Sequence, residues 1–251
     1  MSASILFIQL DQLPPELIVR QGASLNNLVA ALRLPPDDIR ICCINSNKPL
    51  PCTRNKPVII VGGLWNNAAH SRLPSRLFQW LKQASHDACP IFGFGFAHLV
   101  LNSVFGGVNL ELQKPGLKTV YKSMSEKDFL TASLPDRFSS WTICTMKSSP
   151  PPLTATVLAE SHRQEPMLIR FNERTYSTPL SLSLSWSGIV MWLHEHPDYL
   201  YGNEQILDAK MDNTHGLSIL TNFLKLWWQY PCQSLLSGSQ ASEIHQPFHQ
   251  C

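Results

Sequence analysis

The sequence predicts an α/β protein with a mostly parallel sheet flanked by helices and an antiparallel section in its C-terminal half. Three observations lead to this. Ile5–Leu10 (ILFIQL), Val58–Val61 (VIIV) and Pro90–Phe94 (PIFGF) are near-continuous apolar runs of strand length, the kind buried on both faces. Between them lie stretches with helical spacing of apolar residues, which cover such a sheet from either side. Beyond Gly107 the texture changes to a succession of short strand-like runs separated by turn residues.

Taken in order, Ile5–Leu10 is the first strand. Ser24–Leu34 has apolar residues at 25, 28, 29 and 32 and is stopped by Pro35 and Pro36, an amphipathic helix. Ile39–Ile44 is the second strand and Asn45–Pro57 a polar loop. The third strand, Val58–Val61, runs into Gly62-Gly63. Pro74 opens a helix with Leu77, Phe78, Leu81 and Ala84 on one face. Val108–Tyr121, Trp141–Met146, Val157–Ala159 and Met167–Phe171 read as antiparallel strands, with the stiff loop Ser148–Pro152 among them. Ile189–Leu193 reads as a further buried strand leading into HEHPDYLYG, and Leu217–Trp228 as a closing helix. No internal break divides residues 1–231, which read as one domain. Residues 232–251 are rich in Ser and Gln and read as a polar, disordered tail.

Composition narrows the function classes. The chain has 251 residues, 44% of them hydrophobic, enough for a sizeable core. Its formal net charge is +2 and no basic run exceeds two residues, which argues against nucleic acid and anionic membranes as partners. No apolar run is long enough to span a bilayer, and the N-terminus lacks a signal-peptide pattern. The seven cysteines are odd in number and irregular in spacing, which argues against a disulfide framework and for a reducing cytoplasm.

The stretch Cys89–Gly107 organises the chain. A buried strand ends in Gly93-Phe94-Gly95; apolar residues at 96, 99, 100, 104 and 105 then mark a helix, stopped by Gly106 and Gly107. Strand, sharp glycine turn, helix is the geometry of a nucleophile elbow, with the turn residue exposed over a helix N-terminus. The residue at that turn is Gly95, which has no nucleophile to offer.

The run GFGFAHLVLNSVFGG resembles the elbow of the class I glutamine amidotransferases, close to G-x-C-x-G-H-Q-x-x-A-x-x-x-G-G. Gly93, His98, Gly106 and Gly107 match; Gly95 falls on the nucleophilic cysteine, Ala97 on the second glycine and Leu99 on the glutamine. Farther on, His196-Pro197-Asp198 stands where the family has His-Pro-Glu. The resemblance extends over roughly Ile5 to Trp228 and implies a flavodoxin-like fold. It also implies His196 as the base and Asp198 as its orienter, both vestigial, with Gly95 the position of the lost nucleophile. The N–H groups of Gly63 and Phe96 become the oxyanion donors, and His98 and Leu99 belong to the pocket. No cofactor or metal is implied. The implied partner is a separate synthase or another protein chain, and the implied ligand a small amide or amino acid.

The chemistry at this position is decisive. Amide hydrolysis in the family needs a thiolate to attack, a histidine to activate it and a carboxylate to orient the histidine. Losing a nucleophile costs on the order of a millionfold in kcat in the well-studied subtilisin case. Cys89 is six residues upstream, roughly 20 Å along an extended strand. Glycine at 95 also relieves the strain of an elbow, because positive φ costs glycine nothing. The reading is therefore a catalytically inactive binding or regulatory module; the alternative is an active amidotransferase or amide hydrolase using another nucleophile or a partner subunit. His98 reads as a structural histidine whose ring bonds a backbone group. His194, Glu195 and His196 lack a third metal ligand, and His245, His249 and Cys251 belong to the polar tail.

Overall fold

A computed structural model of the chain describes residues 5–10, 24–44, 49–53, 58–63, 73–112, 116–142, 146–148, 151–182, 186–195, 197 and 214–227. The strands are β1 (Ile5–Gln9), β2 (Ile39–Cys43), β3 (Val58–Gly63), β4 (Ile91–Gly95), β5 (Asn109–Leu112), β6 (Gly116–Lys122), β7 (Arg137–Thr142), β8 (Met146–Ser148), β9 (Thr156–Ser161), β10 (Pro166–Asn172) and β11 (Thr175–Thr178). The helices are α1 (Ser24–Ala31), α2 (Ser75–His86), α3 (Phe96–Val104), α4 (Trp186–Glu195) and α5 (Thr214–Trp227), with short 3-10 turns at Pro36–Asp38 and Phe129–Thr131.

Nine strands form one sheet in the order β2-β1-β3-β4-β11-β10-β9-β6-β7, and β5 and β8 make a separate pair. The β2-β1, β1-β3, β3-β4 and β4-β11 pairings are parallel. From β11 onward, the β11-β10, β10-β9, β9-β6 and β6-β7 pairings are antiparallel. The sheet is thus mixed, not mostly parallel as the sequence suggests, and is not a plain flavodoxin-like parallel sheet. The reason lies in the connections. Residues 162–165 and 173–174 are hairpin-length links, too short for the crossover that a parallel neighbour requires. The antiparallel half also curls. The Ser181 amide, just beyond β11, donates to the carbonyl of Trp141 on the outermost strand β7 (2.8 Å), and the Thr142 hydroxyl donates to the Pro179 carbonyl (2.9 Å).

Helices cover both faces, and strand alternation divides the core accordingly. Ile5, Phe7, Phe92, Phe94 and Tyr176 pack with Leu25 and Leu28 of α1 and Ile219, Leu220 and Phe223 of α5. Leu6, Ile8 and Ile91 pack on the other face with Leu77 and Leu81 of α2 and Phe96, Leu99 and Leu101 of α3. Consecutive strand residues thus face opposite ways yet are all buried, which is why these strands read as unbroken apolar runs. On the α5 side, Asn222 Nδ2 donates to the Leu130 carbonyl (3.0 Å) and the Ser133 hydroxyl (2.9 Å), tying α5 to the 3-10 turn. That turn is anchored by Asp128. Its carboxylate accepts from the Leu130 amide (2.9 Å) and pairs with Arg170 (2.7 Å) while only 4% exposed. Burial and the Asp128 charge push the phenol of the neighbouring Tyr176 up to about 12.

Two readings of the later chain are corrected. Ile189–Leu193, expected as a buried strand, lies inside helix α4. Its run IVMWL is short enough that periodicity alone does not separate strand from buried helix. Conversely, β11 (TYST) carries little hydrophobicity and has no counterpart in the sequence reading, yet it is the strand beside β4. Among the described residues no helix is long and apolar enough to cross a membrane. The tail at 232–251 lies outside the described residues.

Candidate functional site

The candidate site lies where the parallel strands end at their carboxyl edge, the position at which open α/β sheets hold ligands. β4 and α3 meet there without a loop. Gly95 is the last strand residue and the N-cap of α3, with φ 58° and ψ −127°. A left-handed backbone allows the chain to reverse from strand to helix within one residue, and only glycine adopts it without steric cost. No side chain caps the helix.

Register fixes what stands around Gly95. Gly63 is its partner on β3, and one row below, Gly62 pairs with Phe94. That lower row runs across five strands, Cys43, Gln9, Gly62, Phe94 and Thr178. The Phe94 ring lies over Gly62 so closely that a Cβ there would fall inside it, with ring Cε1 at 2.7 Å. Gly93 allows a second close approach. A Cβ at that position would sit 3.3 Å from the Ala97 carbonyl oxygen and would strike Leu101, so α3 lies flat on its own strand.

The first turn of α3 is buried throughout: Phe96, Ala97, His98 and Leu99 are each 3% exposed or less. Leu99 is a member of the α2–α3 core cluster. His98 Nδ1 stands 2.7 Å from the Ser177 hydroxyl of β11. Burial pulls its imidazole down to about 3, so the ring is neutral at physiological pH.

On the far side of Gly95 stands the end of β11. Its hydroxyls serve the fold: Thr178 Oγ1 donates to the Met167 carbonyl (2.6 Å) and accepts from the Leu180 amide (3.3 Å). The sequence reading missed Ser177 and Thr178 with the rest of this strand. The signal available was the Asn172–Arg174 turn followed by alternating β-formers, a hairpin pattern of weak hydrophobicity.

His196 and Asp198 lie outside the described residues. The helix that leads to them does bear on how they were expected to be held. His194 is exposed in the last turn of α4, so this segment follows a helix and not a strand end. Among the described residues no group of three His, Cys, Asp or Glu could hold a metal ion.

The described cysteines stand apart from Gly95. Cys89 is fully buried at the amino end of β4, with Sγ 3.3 Å from the Thr53 carbonyl. Cys43 ends β2, three strands from β4, roughly 14 Å away at ordinary strand spacing. Cys144 lies outside the described residues.

Solved structures share this architecture. A glutamine amidotransferase from Thermotoga maritima superposes with TM-score 0.67 at 12% identity, covering 92% of this chain and 100% of its own. A glutamine amidotransferase from Methylobacillus flagellatus gives 0.66 at 14% identity, covering 98% and 100%. The chain has a glutamine amidotransferase-type fold. A protein from Thermoplasma acidophilum described as a GMP synthase component shares the amidotransferase-type architecture at TM-score 0.60 and 13% identity, covering 92% and 96%. No family model and no curated protein matches the sequence, so the likeness is one of fold.

Proposed function

We propose that this chain is a glutamine amidotransferase-like module that has given up amide hydrolysis and acts by binding or regulation. Gly95 carries this reading. It occupies the strand-to-helix turn of an amidotransferase-type fold, and it supplies neither a nucleophile nor any other side chain. An acyl-enzyme cannot form without an attacking atom, and the described cysteines lie elsewhere: Cys42 and Cys43 on β2, Cys52 in the segment before β3 and Cys89 ahead of β4.

In this reading His196 and Asp198 are remnants of the base and its orienter, and the Gly63 and Phe96 amides are remnants of the oxyanion donors. The vacated position takes a small amide or amino acid, and His98 and Leu99 support it from beneath. A separate synthase or another protein chain is the expected partner; the description of one structural neighbour as part of a GMP synthase supports this direction. A glutaminase assay tests the proposal, run with and without a candidate synthase. Ammonia release at the uncatalysed rate is the expected result. Release well above that rate, abolished by His196→Ala, overturns the proposal in favour of an enzyme with a recruited nucleophile.

A further inference from the structure

Four buried side-chain groups have no hydrogen-bond partner among the described residues: Asn102 Oδ1, Trp141 Nε1, Thr175 Oγ1 and Trp227 Nε1. Leaving such a group unmade in a protein interior is costly, so each one needs a physical reason. Three of them lie away from the candidate site. Asn102 is in the last turn of α3, where its amide nitrogen donates to the Val108 carbonyl (2.9 Å). Thr175 pairs with Ile91, the first residue of β4, at the amino edge of the sheet. Trp227 lies near that same edge, with the Arg174 guanidinium of the β10-β11 turn 4.9 Å from its ring. Trp141 alone stands at the carboxyl edge.

We infer that the Trp141 indole N–H is the donor that recognises a ligand held at the Gly95 position. The inference rests on the proposed binding role of that position and names the group that would read the ligand. Backbone pairing brings the two residues to one place. Thr178 of β11 is the register partner of Phe94, so Pro179 follows into the row of Gly95. The Pro179 carbonyl accepts from the Thr142 hydroxyl (2.9 Å), and the Trp141 carbonyl accepts from the Ser181 amide (2.8 Å). The end of β7 is therefore two strand spacings from Gly95, roughly 10 Å.

Strand alternation gives the side on which the indole lies. The β6-β7 register runs without a shift from Gly116–Thr142 to Tyr121–Arg137, so Trp141 and Phe138 face opposite ways. Phe138 belongs to the core shared with α1 and α5, which places Trp141 on the side of α3, the elbow helix. There the indole is 3% exposed and a member of neither apolar core cluster. It donates one hydrogen bond and accepts none, so its partner must present an acceptor oxygen. The carboxamide or carboxylate of an amino acid supplies one, and in a buried site that bond meets little competition from water.

The test titrates the full chain with L-glutamine, L-asparagine and L-glutamate by calorimetry and by NMR of the 15N-labelled protein. The expected result is saturable binding of at least one of them, with the Phe96 amide and the Trp141 indole N–H signals shifting together. Trp141→Phe should weaken that binding about tenfold, the contribution of one hydrogen bond. Replacing Trp141 with β-(3-benzothienyl)alanine, which keeps the bicyclic ring and lacks the N–H, should cause the same loss. This isostere also decides the matter if Trp141→Phe fails to fold. Binding that shifts the Phe96 amide and is unchanged by the isostere overturns the role of Trp141 and leaves the reading of Gly95 intact. Binding that leaves the Phe96 amide unmoved, or no binding of any of the three, overturns both.

Discussion

Gly63 and Gly95 are register partners across β3 and β4, so two neighbouring parallel strands end in adjacent residues that have no side chain. One row lower the relation is reversed: Gly62 is bare and its partner Phe94 fills the space with a ring. An aromatic ring thus lies on one glycine, and in the next row two glycines stand side by side, Gly95 itself buried.

This packing makes Gly62→Ala costly. The new methyl would fall inside the Phe94 ring, and overpacking of this kind destabilises by about 1–3 kcal/mol. Adding Phe94→Leu should recover part of the loss, because the smaller side chain vacates the contested space. Urea denaturation of the two single variants and the double variant measures this coupling. Strictly additive losses would show that the ring and the glycine do not oppose each other.

At Gly95 the cost is one of backbone conformation. With φ 58° and ψ −127°, any residue bearing a Cβ takes up a conformation costing of order 1–3 kcal/mol. Gly95→Ala should lower the thermal midpoint accordingly. A midpoint equal to that of the native chain would mean that the turn relaxes to another conformation when substituted.

The buried imidazole makes stability depend on pH. His98 is held down to about 3, whereas an unfolded histidine titrates near ~6.5. Between these values the unfolded chain binds a proton that the folded chain does not. The stability associated with a neutral His98 is therefore fully present above pH ~6.5 and is lost as pH falls toward 3, by up to ~1.4 kcal/mol per unit. Denaturation midpoints of His98→Gln measured from pH 7 to 4 should fall less steeply than those of the native chain. Parallel slopes would place the acid sensitivity elsewhere.

Asp128 is the most consequential charge described on the α5 side. Its side chain is 4% exposed, pairs with Arg170 and caps the 3-10 turn to which Asn222 of α5 is bonded. Asp128→Ala leaves the partly buried guanidinium without its carboxylate and should cost about 3 kcal/mol. The double variant Asp128→Leu with Arg170→Met should be closer to the native chain than Asp128→Ala, since no charge is then stranded. Calorimetric unfolding of both variants tests this ordering.

The sequence by itself determined the parallel half of the fold and the turn at its centre. Unbroken apolar runs at β1, β3 and β4 and helical spacing of apolar residues at α1, α2 and α3 are local signals. So is Gly95 between a strand pattern and a helix pattern, since a left-handed turn there demands glycine whatever surrounds it. Tertiary structure alone decided which strand flanks the elbow on its second side. β11 is four residues of modest hydrophobicity, stabilised by pairing with β4 and β10 and by full burial, none of which is visible along the chain. The same dependence on context made IVMWL a helix. A short apolar run satisfies either conformation, and the surface it packs against selects between them. The partner of His98 was hidden for the same reason. Ser177 is 79 positions away in sequence, and only the register of β4 with β11 brings the two together.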